Sequence, residues 1–113
     1  MKLLTLCTLC LVATALTAPA NAQQCSAPST AVTVPDGKTA TMEQMTAAQG
    51  QVKALQTATD EYTKCLDGLM ASKKATLNSQ EKKDLIDSYN AAVNSLSKLA
   101  AKFNDQLKAF KSR

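Results

Sequence analysis

The chain has 113 residues, a net charge of +4, two tyrosines, two phenylalanines, and neither histidine nor tryptophan. A chain this short buries one small core at most, which excludes a multidomain protein. The absence of histidine removes the usual base or ligand of most nucleophilic and metal-assisted sites. The sequence also contains no Gly-rich phosphate loop and no Gly-x-Ser-x-Gly motif. We therefore predict a non-enzymatic protein without a cofactor.

Residues 1–22 have the three parts of a secretory signal peptide. A basic residue precedes an apolar run over 3–16, and Ala20 and Ala22 form the small-x-small pattern of a cleavage site. The apolar run is too short for a comfortable membrane span. We expect cleavage between Ala22 and Gln23, and a mature chain that is periplasmic or secreted.

Cys25 and Cys65 are the two cysteines of the predicted mature chain. In an exported protein, two cysteines most simply form one disulfide. The alternatives are a catalytic dithiol and an intermolecular bridge. A catalytic dithiol is disfavoured, because redox pairs usually occur as Cys-x-x-Cys at a helix start and these two cysteines lie far apart in sequence.

An extended segment is predicted over 23–40, where no helical periodicity occurs. Its end carries the turn signal Pro35-Asp36-Gly37. Thr41 then has the character of an N-cap, because Gln44 three residues later completes a capping box. The first helix is therefore expected to begin here.

The first helix, over about 41–73, carries a single narrow apolar seam. Residues at alternating spacings of three and four form it: Met45, Ala48, Val52, Leu55, Thr59, Tyr62, Leu66 and Leu69. This spacing is typical of a coiled coil. The helix ends either at Gly68 or further on, near Ala75.

A row of small residues lies beside this seam. Its members are Ala47, Ala54, Ala58, Cys65, Gly68 and Ser72. Small side chains let another backbone approach, so the row predicts a trough for the extended segment, running antiparallel to the helix. That segment is long enough to bring Cys25 to Cys65. The other interpretation is that the alanines only favour helix formation.

Asn78 as N-cap and Glu81 three residues later begin a second helix, predicted over about 79–111. Its apolar stripe is wider than the first seam. The stripe contains Leu85, Tyr89, Ala92, Leu96, Leu99, Phe103 and Phe110, flanked by Ile86, Val93, Ala100 and Leu107. Two helices of similar length with a short connection predict an all-α fold, an antiparallel αα-hairpin over 41–113. One disulfide would tie the N-terminal segment to the first helix.

The second helix has more apolar surface than one narrow seam covers, and a lone two-helix hairpin is marginally stable. Either the extended segment or a second copy could cover the surplus. Residues 23–70 carry three basic and five acidic side chains, whereas residues 71–113 carry nine basic and four acidic ones. These halves attract each other within a hairpin or between copies. We therefore expect a protein partner or a homo-oligomer.

The end of the second helix is basic. Its cations are Lys98, Lys102, Lys108, Lys111 and Arg113. Such a surface fits weak contact with an anionic membrane or an envelope polymer. The simpler interpretation is that these charges complement the helix dipole and keep the chain soluble. The net excess is too modest to predict nucleic-acid binding.

Two further patterns are weaker candidates for chemistry. Met42 and Met45, one turn apart, could share a Cu(I) ion, but Met45 belongs to the seam and core packing explains it better. Asp84 and Asp87 share a helix face, but neighbouring lysines predict a solvated charged surface there. We therefore expect no metal site and no catalytic residue.

Three stretches carry a resemblance: 34–45, which contains Pro-Asp-Gly-x-x-Ala-Thr, then Val52-Lys53, and then Tyr62-x-x-Cys65-Leu66. The chain resembles uncharacterised small exported proteobacterial helical proteins in which such a turn leads into a helix ending near a Tyr-x-x-Cys-Leu element. The resemblance covers the mature N-terminal half and implies a periplasmic or secreted helical protein, without implying an activity.

We expect this chain to act by protein–protein interaction or self-association in the bacterial periplasm. The alternative is a small chaperone-like or envelope-binding protein that uses the basic, amphipathic second helix on unfolded clients or anionic lipid.

Overall fold

The computed structural model describes residues 25–113 and contains two long helices. Helix α1 spans Met42–Ser72 and helix α2 spans Ser79–Lys111, and the two pack antiparallel. No strand occurs within the described range. The predicted all-α hairpin is confirmed. The predicted signal peptide at 1–22 lies outside the described residues.

Both helices begin with the capping boxes that the sequence predicts. Thr41 Oγ1 accepts from the Gln44 amide at 3.1 Å, and Gln44 Oε1 accepts from the Thr41 amide at 2.9 Å. Asn78 and Glu81 make the same reciprocal pair, with both distances at 2.8 Å. Each box gives partners to two backbone amides that a helix start leaves without intrahelical bonds.

Helix α1 continues through Gly68 and ends at Ser72. The amide of Lys73 donates to the Leu69 carbonyl at 3.0 Å, and a short turn then leads to α2. A glycine in a helix interior costs about 1 kcal/mol relative to alanine, which packing of neighbouring side chains can override. Gly68 is therefore excluded as the end of α1.

The predicted seam of α1 is its buried face. Met45, Leu55 and Leu66 are each at most 4% exposed, and the other five seam residues are buried or half-buried. Spacings of three and four keep these side chains on one side of the helix, facing α2. The pattern in the sequence therefore predicts the packing face correctly.

The best-packed part of the core lies where α1 begins and α2 ends. Ala40, Met45, Ala48 and Phe103 are buried together there. Residues packed against them are Val34, Val52, Leu107 and Phe110. Phe103, at 6% exposed, is the single buried residue of α2. The narrow α1 seam covers only part of the wide apolar face of α2. Most of that face is therefore half-buried.

Thr59 is a buried polar member of the α1 seam. Its side chain is 2% exposed, and its Oγ1 has no hydrogen-bond partner. A buried hydroxyl without a partner costs about 1–3 kcal/mol, and valine has nearly the same shape. We expect Thr59→Val to raise the free energy of unfolding by about 1 kcal/mol, measured by urea denaturation.

Thr63→Val is the matched control for this substitution. Thr63 is also buried, but its Oγ1 donates to the Asp60 carbonyl at 3.1 Å. Its replacement should therefore give no gain in stability. A loss of stability in Thr59→Val would contradict the prediction, because it would show that the hydroxyl makes a favourable interaction.

Candidate interaction surfaces

Residues 25–40 form an extended segment, here called the strap, that runs antiparallel along α1. At one end, Cys25 and Cys65 form a disulfide within the chain, with Cα atoms 5.6 Å apart. At the other end, Ala40 joins the core beside the start of α1. The predicted extended segment and its disulfide are confirmed.

The strap lies over small residues of both helices. On α1 it passes Ala54 and Ala58. On α2, the residues that line a cavity together with the strap are Ser88, Ala91, Ala92 and Ser95. Small side chains on both helices let an extended backbone settle between them. The strap therefore follows only part of the predicted row, from Ala54 to Cys65. Ala47, Gly68 and Ser72 are exposed.

The middle of the strap fills this trough loosely. Three shallow cavities of about 260–340 Å³ lie along it, and Pro28 and Tyr62 line two of them. A hydrogen bond in this stretch joins two residues of the strap itself: the Val32 amide donates to the Thr30 carbonyl at 2.8 Å. Firm attachment is concentrated at the two ends of the strap.

The turn at the end of the strap is fixed to α2. The Gly37 amide donates to Gln106 Oε1 at 2.8 Å, and the Lys38 amide donates to Asp36 Oδ1 at 2.9 Å. The Arg113 guanidinium donates to the Lys38 carbonyl at 3.3 Å. The turn thus bonds to Gln106 of α2 and to Arg113, two residues beyond its end. These bonds hold the strap against the end of the hairpin.

Gly37 touches the backbone of α2. A Cβ built on Gly37 would lie 1.9 Å from the Gln106 carbonyl oxygen and 2.9 Å from the Phe110 amide nitrogen. Gly37 does not adopt a positive φ. Glycine is required here by the close approach of two backbones rather than by the turn conformation.

The exposed α2 stripe begins with Ile86 and Val93 and continues at seven-residue intervals to Ala100 and to Leu107, whose side chain packs against the core. Ile86 is 48% exposed and Val93 is 40% exposed, while the other two are half-buried. Ser88 follows Ile86 by two residues, a rotation of about 200° around the helix, and Ser88 faces the strap. The stripe therefore lies on the side of α2 that the strap does not cover.

The basic residues at the end of α2 are all exposed but do not share one face. Lys98 and Lys102 lie one turn apart on one side of the helix. Lys111 lies about two and a half turns beyond Lys102, which places it on the opposite side. Arg113 stacks on the Phe110 ring, 4.1 Å from its centroid. The basic charge is therefore spread around the helix end.

Met42 and Met45, the pair considered for a Cu(I) site, have different environments. Met45 is 3% exposed and belongs to the core, whereas Met42 is 65% exposed. In the described part of the chain, no group of three or more His, Cys, Asp or Glu side chains is arranged to hold a metal ion. Packing accounts for Met45.

The acidic pair on α2 is solvated and paired with neighbours. Asp84 accepts a hydrogen bond from Gln80 Nε2 at 2.7 Å, and Asp87 forms an ion pair with Lys83. The hydrogen bond to Asp87 raises the pKa of the Lys83 amine. These contacts follow the one-turn spacing of an exposed charged face.

An apolar groove of about 370 Å³ opens near the connection between the helices. Leu69, Leu77 and Leu85 line it, and Lys73, Glu81 and Asp84 stand at its rim. The groove is open to solvent and its charged rim carries both signs, so it favours no particular ligand.

Two features, one at the strap turn and one in the buried α1 seam, are not predicted from the sequence. The contact of Gly37 with Gln106 joins residues 69 positions apart, which no local pattern predicts. The sequence does mark Gln106 as unusual. It is a polar residue that continues, at seven-residue spacing, the row of Leu85, Ala92 and Leu99. The unpaired Thr59 hydroxyl has a similar signal, as a polar residue within an apolar seam.

Comparison with known proteins finds no family model, curated protein or solved structure that matches the chain. Between residues 25 and 113, neither helix combines the length and apolarity needed to cross a membrane. The interpretation of the surfaces therefore rests on their geometry and charge.

Proposed function

We propose that this chain is a non-enzymatic exported protein that acts by binding another protein, or a second copy of itself, through the exposed α2 stripe. The observation that carries the proposal is the exposure of Ile86 and Val93, at 48% and 40%, on a helix whose opposite side faces the strap. Scattered apolar side chains are normal on a surface, but these two share one line along α2. An aligned apolar row on a rigid helix is the usual anchor of a helix–helix contact.

The site of action is the bacterial periplasm. The Cys25–Cys65 disulfide supports this proposal, because such bonds persist in oxidising compartments. The predicted signal peptide at 1–22 is the second support. Mass spectrometry of the protein recovered from the periplasm should give a chain that begins at Gln23, and recovery of the full-length chain from the cytoplasm would contradict export.

The alternative, envelope binding through the basic end of α2, has weaker support. Lys102 and Lys111 lie on opposite sides of the helix, so a flat anionic surface meets only part of the charge at once. Arg113 is already engaged with Phe110 and with the Lys38 carbonyl. Protein binding through the apolar stripe is therefore the better proposal.

Site-specific photo-crosslinking in the producing cells tests this function. The photoreactive residue p-benzoylphenylalanine is placed at Val93 in the stripe or, as a control, at Lys98, which is exposed off the stripe. We expect a covalent adduct with a protein from position 93 and little or none from position 98. Equal yields from both positions, or no adduct from position 93, would contradict the proposal.

A further inference from the structure

We propose that the Cys25–Cys65 disulfide is a redox latch on the strap. A dithiol reductant enters the cavity beside this bond and opens it, and residues 25–33 then leave the trough between α1 and α2 while the hairpin and the turn stay folded. The latch lies on the side of α2 that faces away from the exposed stripe, so it does not depend on the proposed function. Three observations lead to it: the cavity at the disulfide, the weak attachment of the strap next to it, and the separate attachment of the turn.

The disulfide can be reached from solvent in the folded protein. Both cysteines are half-buried, and they line a shallow cavity of about 340 Å³. Ser26, Pro28 and Tyr62 line the same cavity. Thiol–disulfide exchange requires an attacking thiolate to reach one of the two sulfur atoms. The cavity gives a small dithiol room to do so without unfolding of either helix.

The reaction that opens the latch is a two-electron thiol–disulfide exchange. One thiolate of the reductant attacks a sulfur of the Cys25–Cys65 bond, which breaks as a mixed disulfide forms. The second thiolate of the reductant attacks this mixed disulfide and closes the reductant into its own disulfide. Both cysteines are released as thiolates, and they take up the two protons that the thiols of the reductant lost. No further co-reactant is consumed.

The strap beside the disulfide is held to the helices by packing alone. Among the described residues, the hydrogen bonds of 26–33 stay within the strap, as between the Val32 amide and the Thr30 carbonyl at 2.8 Å. Pro28 and Val32 are half-buried, and the other six residues of this stretch are exposed. Burial of two side chains offsets little of the conformational entropy that eight ordered residues lose. The disulfide therefore keeps this stretch in the trough.

The turn and the hairpin have attachments of their own. Val34 packs against the core, and the Gly37 amide donates to Gln106 Oε1 at 2.8 Å. That core includes Met45, which lies about 30 Å along α1 from Cys65. Opening the disulfide therefore frees the strap only as far as Val34, and the two helices keep their contact with each other.

Release of the strap uncovers the trough. Leu55 is 4% exposed and lines a cavity together with Val32 of the strap. Tyr62 on α1 and Ala92 on α2 line another cavity together with Pro28. These side chains gain contact with solvent when 25–33 leave. The latch thus changes the trough from a covered to an open surface.

Backbone relaxation measured by NMR tests the release, with the mature protein oxidised or reduced by dithiothreitol. Order parameters of the amides in 26–33 should fall from about 0.85 to below about 0.6 on reduction. Those of Gly37 and both helices should stay near about 0.85. The variant with both Cys25→Ser and Cys65→Ser should match the reduced protein without reductant. A strap that stays ordered after reduction, or helices that lose their order, would overturn the latch.

The rate of reduction tests whether the folded protein is attacked. Below the unfolding transition, the rate with dithiothreitol should change less than about twofold between 0 and about 1 M urea, because local attack exposes little new surface. Reduction that requires global unfolding would become at least about fivefold faster over the same range. The faster rate would show that the latch does not open in the folded protein.

Glu61 gives a test of the entry route. It lines the cavity together with both cysteines, and its carboxylate repels an incoming thiolate. Glu61→Gln should speed reduction by about threefold at low salt. Glu43→Gln removes the same charge from the exposed first turn of α1 and should leave the rate unchanged. Equal rates in the two variants would overturn entry through this cavity.

Discussion

Replacing both Cys25 and Cys65 by serine is expected to lower the free energy of unfolding by about 4 kcal/mol. The disulfide joins residues 40 positions apart, so its loss frees a long loop in the unfolded chain. In the folded chain it fixes the end of the strap where packing is loose, beside a cavity of about 340 Å³ lined by Pro28 and Tyr62. A small domain has a total stability of only about 5–15 kcal/mol, so this loss is large. Urea denaturation of the oxidised mature protein and of the double variant measures it.

Reduced wild-type protein is the control for this pair of substitutions. It should unfold at the same urea concentration as the double variant, because both lack the same cross-link. Hydrogen exchange at the Val32 amide, which donates to the Thr30 carbonyl, should become faster, while the Gly37 amide stays protected by its bond to Gln106. A loss below about 1 kcal/mol would contradict the prediction, because it would show that the disulfide contributes little of the constraint.

Sequence patterns predict the helices well because the interactions that set them are local. The capping boxes at Thr41 and Asn78 each involve residues three apart, and both form as expected. The buried face of α1 is predicted equally directly, because the spacing of the seam residues places them on one side of the helix. The end of α1 is less predictable, since Gly68 disfavours a helix while Leu66 and Leu69 on either side favour continued packing. Tertiary packing decides between them.

The surfaces are only partly predictable for a different reason. The sequence shows that α2 has surplus apolar surface, but it does not show which part the strap covers. Strap and stripe lie on opposite sides of α2, because the strap follows the small residues near Ser88 and Ala92. Ile86 and Val93 are consequently left exposed. The basic residues form one group in the sequence, yet the turn of the helix distributes them around its end.

The contrast between the two ends of the strap has a consequence for its behaviour. The disulfide end is held by one covalent bond over loosely filled cavities, whereas the turn end is held by backbone contact and hydrogen bonds. Reduction should therefore loosen the first part of the strap and leave the turn in place. Ile86 and Val93 lie on the side of α2 that faces away from the strap, so association through them should respond to reduction only through overall stability.

Gly37→Ala is expected to lower the free energy of unfolding by about 3 kcal/mol. The added methyl group would meet the Gln106 carbonyl oxygen at 1.9 Å and the Phe110 amide nitrogen at 2.9 Å. Both are backbone atoms of a helix, so no side-chain rotation relieves the overlap. The turn would have to move away from α2, which breaks the hydrogen bond from Gly37 to Gln106 and disturbs the nearby core around Phe103.

Gly50→Ala is the matched control, because it adds the same methyl group at a glycine in the interior of α1. A Cβ at Gly50 meets no atom within 4 Å. Alanine is the better helix former, so this variant should be more stable than the wild type by about 1 kcal/mol. The two identical substitutions should thus shift the midpoint of thermal unfolding in opposite directions. If Gly37→Ala is as stable as the wild type, the turn does not press against α2 in solution.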